Sequence, residues 1–130
     1  MVNANRPKAV DFSARTIEGK DWSLAEHRGK RPVLLSFFAT WCGPCIAAVP
    51  HMNELQKEFN RKDLYYISIS DEPVEKIQRT LKRVDFKSIV VTDKTGQTQK
   101  NYGDKEEGLK VIPLTVLIDN KGIVKWVGLP

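Results

Sequence analysis

The sequence predicts an α/β fold built on a mixed central sheet flanked by helices. Three observations carry this. Apolar, strand-like runs alternate with helically spaced apolar residues through the middle of the chain. One run, PVLLSFFA at 32–39, is almost continuously apolar, as a strand buried on both faces must be. Near the end, two apolar runs flank Asn120-Lys121-Gly122, the pattern of an antiparallel hairpin. A length of 130 residues suits a single domain, 1–130, with enough chain for a core that needs no metal or disulfide.

Taken in order, DFSARTIEGKDWSL alternates around Glu18-Gly19 and reads as an N-terminal β-hairpin. Ser23 and Glu26 fit a capping box for a short helix through LAEHR, stopped by Gly29. The run at 32–39 is the central parallel strand. An amphipathic helix then begins at Cys42-Gly43-Pro44-Cys45, with Ala48, Met52, Leu55 and Phe59 on its inner face, and Pro50 should kink it. A strand at 64–70, a helix presenting Val74, Ile77, Leu81 and Val84, and a short strand at 88–93 follow. The segment TGQTQKNYG is weakly patterned, and IPLTVLID pairs with IVKWVG in the closing hairpin. No internal repeat is visible.

With 41% hydrophobic and 28% charged residues the composition is globular. The net charge of +5 and pI of 9.3 come from cations interspersed with acids. Their densest group, RTLKR at 79–83, has helical spacing and reads as a solvated face; with no aromatic-rich binding motif beside it, a nucleic-acid partner is not expected. No apolar run approaches the roughly 18 residues of a membrane span, and MVNANRPKAV has no signal-peptide core, so the chain as given reads as soluble.

The chain's two cysteines, Cys42 and Cys45, are three positions apart, which suits a redox couple, a metal clip or an idle structural pair. Cys42 falls where a buried strand ends and a helix begins, the place where open α/β sheets gather reactive groups. Unpaired backbone N–H groups and the positive end of the helix dipole favour thiolate there, marking Cys42 as nucleophile. Cys45, one turn later and expected to be more enclosed, would resolve the mixed disulfide. Gly43 permits close approach of a partner, and Pro44 at the helix start gives up no needed hydrogen bond. Trp41 reads either as a flat apolar flank beside the thiol or as an ordinary core aromatic. For zinc, Cys42, Cys45, His27 and His51 are four candidate ligands, but no second pair has ligand spacing, and neither a metal nor another cofactor is expected.

The stretch FFATWCGPC, Pro50 five residues beyond Cys45, and VIPLTVLIDNKGIV together resemble the thioredoxin superfamily. The hairpin before the first core strand, and the extra strand and helix between Leu64 and Asp93, resemble the TlpA/ResA-like thiol-disulfide oxidoreductases, relatives of the AhpC/TSA redoxins. The resemblance implies a thioredoxin-like fold and disulfide exchange with protein disulfides or thiols, alongside a redox partner protein. Its CGPC leans toward reduction. It also implies that Pro113 is a cis-proline packed against the cysteines and that the Ile112 backbone pairs with an extended substrate segment. The contrasting reading is a binding or structural module on the same scaffold, its cysteines idle or zinc-bound.

The departures from the family are specific. Ser36 stands where thioredoxin has a buried Asp, and Ala48 where several TlpA/ResA-like reductases have a Glu, which leaves water, Ser36, Asp71 or Glu72 to move the proton of Cys45. The family adds a C-terminal helix, whereas this sequence stops at Pro130, so that helix is expected to be missing or the chain to be a fragment. Peroxiredoxins need a Thr three residues and a Pro seven residues before the reactive cysteine; Ala39 and Leu35 stand there, which disfavours peroxidase chemistry. The subfamily points to an extracytoplasmic compartment such as the periplasm, while a lone catalytic pair also suits the cytosol.

Overall fold

The computed structural model describes residues 8–9, 11–27, 30–59, 63–93 and 112–128. In chain order its elements are β1 (Ser13–Thr16), β2 (Asp21–Ser23), a 3₁₀ turn (Leu24–Glu26), β3 (Val33–Phe37), α1 (Gly43–Glu58), β4 (Tyr65–Ser70), α2 (Val74–Leu81), β5 (Ile89–Thr92), β6 (Leu114–Ile118) and β7 (Val124–Gly128). The strands form one sheet in the order β2-β1-β5-β4-β3-β6-β7. β3 runs parallel to β4, and β4 to β5; the other pairings are antiparallel. The sheet is therefore mixed, as expected, with β3 inside it and every β3 residue buried.

The two hairpins close where the sequence places them. Gly19 turns β1 into β2 at φ +89°, a conformation that favours glycine, and its N–H donates to the Thr16 carbonyl at 2.9 Å. Between β6 and β7, the Asp119 carboxylate accepts from the Lys121 and Ile123 N–H groups, both at 2.9 Å, an Asx-type turn that places Gly122 at φ +81°.

Alternation along the strands separates two apolar layers. On one face Leu35, Phe37, Ile67, Val91 and Val116 pack against Phe12, Trp22 and Leu24, so the N-terminal hairpin and its turn cover that side of the core. On the other face Leu34 and Tyr66 meet Met52 of α1, while Phe38, Ala39 and Val90 meet Cys45 of α1 and Ile77 of α2. Both helices thus lie over the face that carries the cysteines.

Three local expectations change: the Ser23 cap, the inner stripe of α1 and the length of α2. Ser23 stays in the β1–β2 ladder and caps nothing with its side chain, the Leu24 N–H going instead to the Phe12 carbonyl; the expected helix shrinks to one 3₁₀ turn. The inner stripe of α1 is Cys45, Val49 and Met52, while Phe59 is the extended C-terminal cap and 45% exposed. α1 continues through Pro50, which lies on its exposed side. α2 ends at Leu81, leaving Val84 beyond it, and Arg79, Lys82 and Arg83 are exposed as a solvated face should be. Gly29, the segment TGQTQKNYG and Pro130 lie outside the described residues.

Candidate active site

The site is built by the end of β3. The Phe38 N–H extends the parallel ladder by donating to the Ile69 carbonyl at 2.9 Å, and the chain then leaves the sheet through Ala39, Thr40 and Trp41. The Cys42 N–H donates back to the Ala39 carbonyl at 3.1 Å, which turns the backbone into α1. Cys42 is the N-cap residue, extended at φ −88° and ψ 103°, and its Sγ accepts the Cys45 N–H at 3.2 Å. A sulfur thus occupies the place a Ser or Asp oxygen usually takes at a helix start, where donors and the helix dipole favour negative charge. Pro44 sits in the first turn, where a missing N–H costs nothing.

Cys42 and Cys45 form a disulfide, their Cα atoms 5.2 Å apart. The expected difference in enclosure is absent, since the two residues are 5% and 4% exposed. Their surroundings differ instead. Cys42 belongs to the helix start, beside exposed Trp41, Gly43 and Pro44, whereas Cys45 lines an inner cavity.

The expected neighbours converge on this point. Trp41 is 66% exposed, which leaves the flank reading and removes the core one. A Cβ at Gly43 would meet nothing within 4 Å, so the surface there is open to a partner. The Ile112–Pro113 bond is cis. Ile112 packs against the cluster that holds both cysteines, and Pro113 shares the wall of the inner cavity with Cys45.

That cavity, about 10 Å³, has the room of a single water molecule. Ser36, Tyr66 and Ser68 supply its polar wall, with Ala48 and Phe86 among the apolar residues opposite. Ser68 and Ser88 share a buried hydrogen bond of 2.7 Å. Burial pushes the Tyr66 hydroxyl above its ordinary pKa, opposed by hydrogen bonds from Ser68, Ser36 and Ser88.

Glu72, one of the carboxylates considered for Cys45, does not line the cavity; neither does Asp71. The Glu72 carboxylate is buried and holds the loop before the motif, accepting from the Thr40 N–H at 2.7 Å, the Thr40 hydroxyl at 2.7 Å and the Ser70 hydroxyl at 2.9 Å. Lys76 pairs with it at 3.3 Å. Burial alone would raise its pKa, but these donors, those of Thr40 first, bring it below the ordinary value. A carboxylate so occupied is a poor proton acceptor and a good clamp.

The zinc candidates do not gather. His27 lies against Trp22 and Tyr65, at ring separations of 5.4 and 4.3 Å, where burial and then Arg31 lower its pKa; His51 is exposed on α1. Among the described residues no group of three His, Cys, Asp or Glu could hold a metal ion.

Known proteins place this geometry. The model of the AhpC/TSA family matches residues 6–127. The chain belongs to the AhpC/TSA family. Within it, the chain is similar to the thiol-disulfide oxidoreductase ResA of Bacillus thuringiensis subsp. konkukian, 37% identical over 120 residues that cover 90% of this chain and 65% of the relative. It therefore spans just under two thirds of that ResA. The thioredoxin-like protein YneN of Bacillus subtilis is 32% identical over 122 residues, 91% of this chain and 67% of the relative. A thiol:disulfide interchange protein of the thioredoxin family from Chlorobium tepidum superposes with a TM-score of 0.79 at 28% identity, covering 98% of this chain and 88% of that one. The AhpC/TSA chain thus has the thioredoxin-like α/β fold, with the TlpA/ResA-like additions that its sequence resembles.

Sequence reasoning named Ser36 for the Cys45 proton but missed the hydroxyls beside it, those of Tyr66, Ser68 and Ser88. Alternation in YYISIS puts Tyr66 and Ser68 on one face of a buried strand, a polar signal on an otherwise apolar layer that could have been noticed. Ser88 and Thr115 carried no such signal.

Proposed function

We propose that this chain is a thiol-disulfide oxidoreductase that acts as a single domain on protein disulfides, as a reductase fed by a redox partner protein. The observation that carries the reading is the Cys42 sulfur at the N-cap of α1, hydrogen-bonded to the Cys45 N–H and joined to the Cys45 sulfur. In the reduced pair Cys42 is the nucleophile, since the helix start favours its thiolate. Its sulfur attacks a substrate disulfide, one substrate sulfur leaves as thiolate, and Cys45 then displaces the second from the mixed disulfide.

Trp41, Gly43 and Pro44 form the exposed rim against which a substrate segment lies, and Ile112 offers backbone to it beside Pro113. The names of ResA, YneN and the Chlorobium protein support the chemistry, and the Gly43-Pro44 dipeptide between the cysteines supports the reducing direction. Substitution separates the two thiols. Cys42→Ser should abolish reduction of a protein disulfide, and Cys45→Ser should accumulate a mixed disulfide that is stable on a denaturing gel. A Cys42→Ser protein reducing at the full rate would refute the assignment.

A further inference from the structure

The proposed reaction requires Cys45 to lose a proton when it resolves the mixed disulfide and regain one when the pair is reduced again. Ser36 and Ala48, at the two positions where the family resemblance implies a carboxylate, both line the cavity beside Cys45. Besides Cys45, Tyr66 is the one ionisable side chain on that wall among the described residues. The other titratable side chains of the surrounding elements do not line it: His51, Glu54, Lys57 and Glu58 on α1, Asp85 paired with Lys87 before β5, and Glu72 tied to Thr40. Hydroxyls stand in their place.

Strand register brings them together. Ser36 on β3 lies directly between Ser68 on β4 and Thr115 on β6, three small hydroxyl residues in one row across the sheet. Tyr66, two residues before Ser68, faces the same way, and Ser88 bonds Ser68 at 2.7 Å. All are buried, and the Thr115 hydroxyl has no hydrogen-bond partner of its own. A cavity of one water's size beside Cys45, with Ser36, Tyr66 and Ser68 on its wall, is the setting in which a water is held.

We infer that a water bound among Ser36, Tyr66 and Ser68 exchanges the Cys45 proton in place of a carboxylate, and that the Ser68–Ser88 pair continues the path toward solvent at exposed Lys87. The inference rests on the redox reading above. In the resolving step the Cys45 thiol passes its proton to this water as its sulfur attacks Cys42. The Cys42–substrate bond breaks, the Cys42–Cys45 bond forms, and the departing substrate thiolate takes a proton from solvent. The substrate gains the two electrons that the cysteine pair loses. Each hydroxyl on the path releases its own proton as it receives one, so none ends charged. Ser36, Tyr66, Ser68 and Ser88 act through the water and are positioning residues.

Reduced protein mixed with dithiobis(nitrobenzoate) tests this, because the reagent releases one coloured thiolate when Cys42 attacks and a second when Cys45 resolves. The inference expects Ser36→Ala and Ser68→Ala to leave the first phase within about twofold of the parent and slow the first-order second phase at least about tenfold at neutral pH, up to the roughly hundredfold low end of general acid–base effects. The solvent deuterium effect on the second phase should also change in both variants, a readout that altered packing alone would not move. A second phase unchanged in rate and isotope effect in both folded variants overturns the relay while the first phase upholds the redox reading. Absence of the first phase in the parent protein overturns both.

Discussion

Replacing Glu72 with Gln removes one charge from the junction between β4 and the loop that presents Cys42. The side chain is 7% exposed and has two well-made sides. Oε1 accepts from the Thr40 N–H and the Ser70 hydroxyl, and Oε2 from the Thr40 hydroxyl and the half-exposed Lys76 ammonium. Glutamine keeps an acceptor on one side and places an NH₂ on the other, where the Thr40 hydroxyl can turn round but Lys76 cannot. Bonds to a charged group contribute about 1.5–3 kcal/mol and neutral ones about 0.5–1.5, a difference of about 1–1.5 per bond, so losing charge from two or three buried bonds costs about 2–4 kcal/mol. The exposed Lys76 end adds less than about 1.

Urea unfolding of Glu72→Gln and the parent near neutral pH measures this difference. The pH dependence then identifies its origin. The folded pKa of Glu72 lies below its ordinary value of 4.5, so the stability it contributes is present above that value and is lost as pH falls through the folded pKa. The gap between the two proteins should therefore close in acid. Because Thr40 is two residues from Cys42, the alkylation rate of reduced Cys42 should fall as well. Equal stabilities at neutral pH, or a gap that persists undiminished in acid, would refute the clamp.

Three further outcomes follow from burial and charge. Trp41→Ala should change stability by no more than about 0.5 kcal/mol, since the residue is 66% exposed, yet reduce turnover of a folded protein disulfide; unchanged turnover would remove Trp41 from the substrate rim. Phe37→Ala, at a side chain 1% exposed between sheet neighbours, should cost about 3–5 kcal/mol by urea unfolding, and a loss under about 1 would contradict the packing. His27 is held neutral by burial and by Arg31, its folded pKa below 6.5. The unfolded chain binds that proton first, so the His27 contribution should be present above 6.5 and lost as pH falls through that value toward the folded pKa; His27→Gln should flatten this slope below 6.5, and an unchanged slope would assign it elsewhere.

Much of the architecture follows from local pattern. Continuous apolarity in 32–39 reports a strand covered on both sides, and Gly19 and Asp119 to Gly122 report their turns through chemistry that few other residues supply. The cysteine pair at a strand-to-helix junction was equally legible, and the cis bond before Pro113 came from resemblance. What was not legible depends on distant partners. Ser23 and Glu26 satisfy a capping pattern, but pairing with β1 and the Phe12 carbonyl overrides it. Phe59 has the right spacing for the inner face of α1, but the helix ends before it. The row Ser68–Ser36–Thr115 exists only once three strands from separate parts of the sequence align in register. Glu72 stands in the sequence as a carboxylate at a strand end, but its hold on Thr40 requires the two loops to meet.

The most direct test of the central claim is the equilibrium between the joined and reduced forms of Cys42 and Cys45, followed by gel-shift alkylation in graded thiol buffers. The account predicts a reversible two-electron couple near the thioredoxin end of the scale, about −270 mV. A reversible couple near about −120 mV would contradict the reducing direction, and no reversible couple at all would contradict disulfide exchange itself.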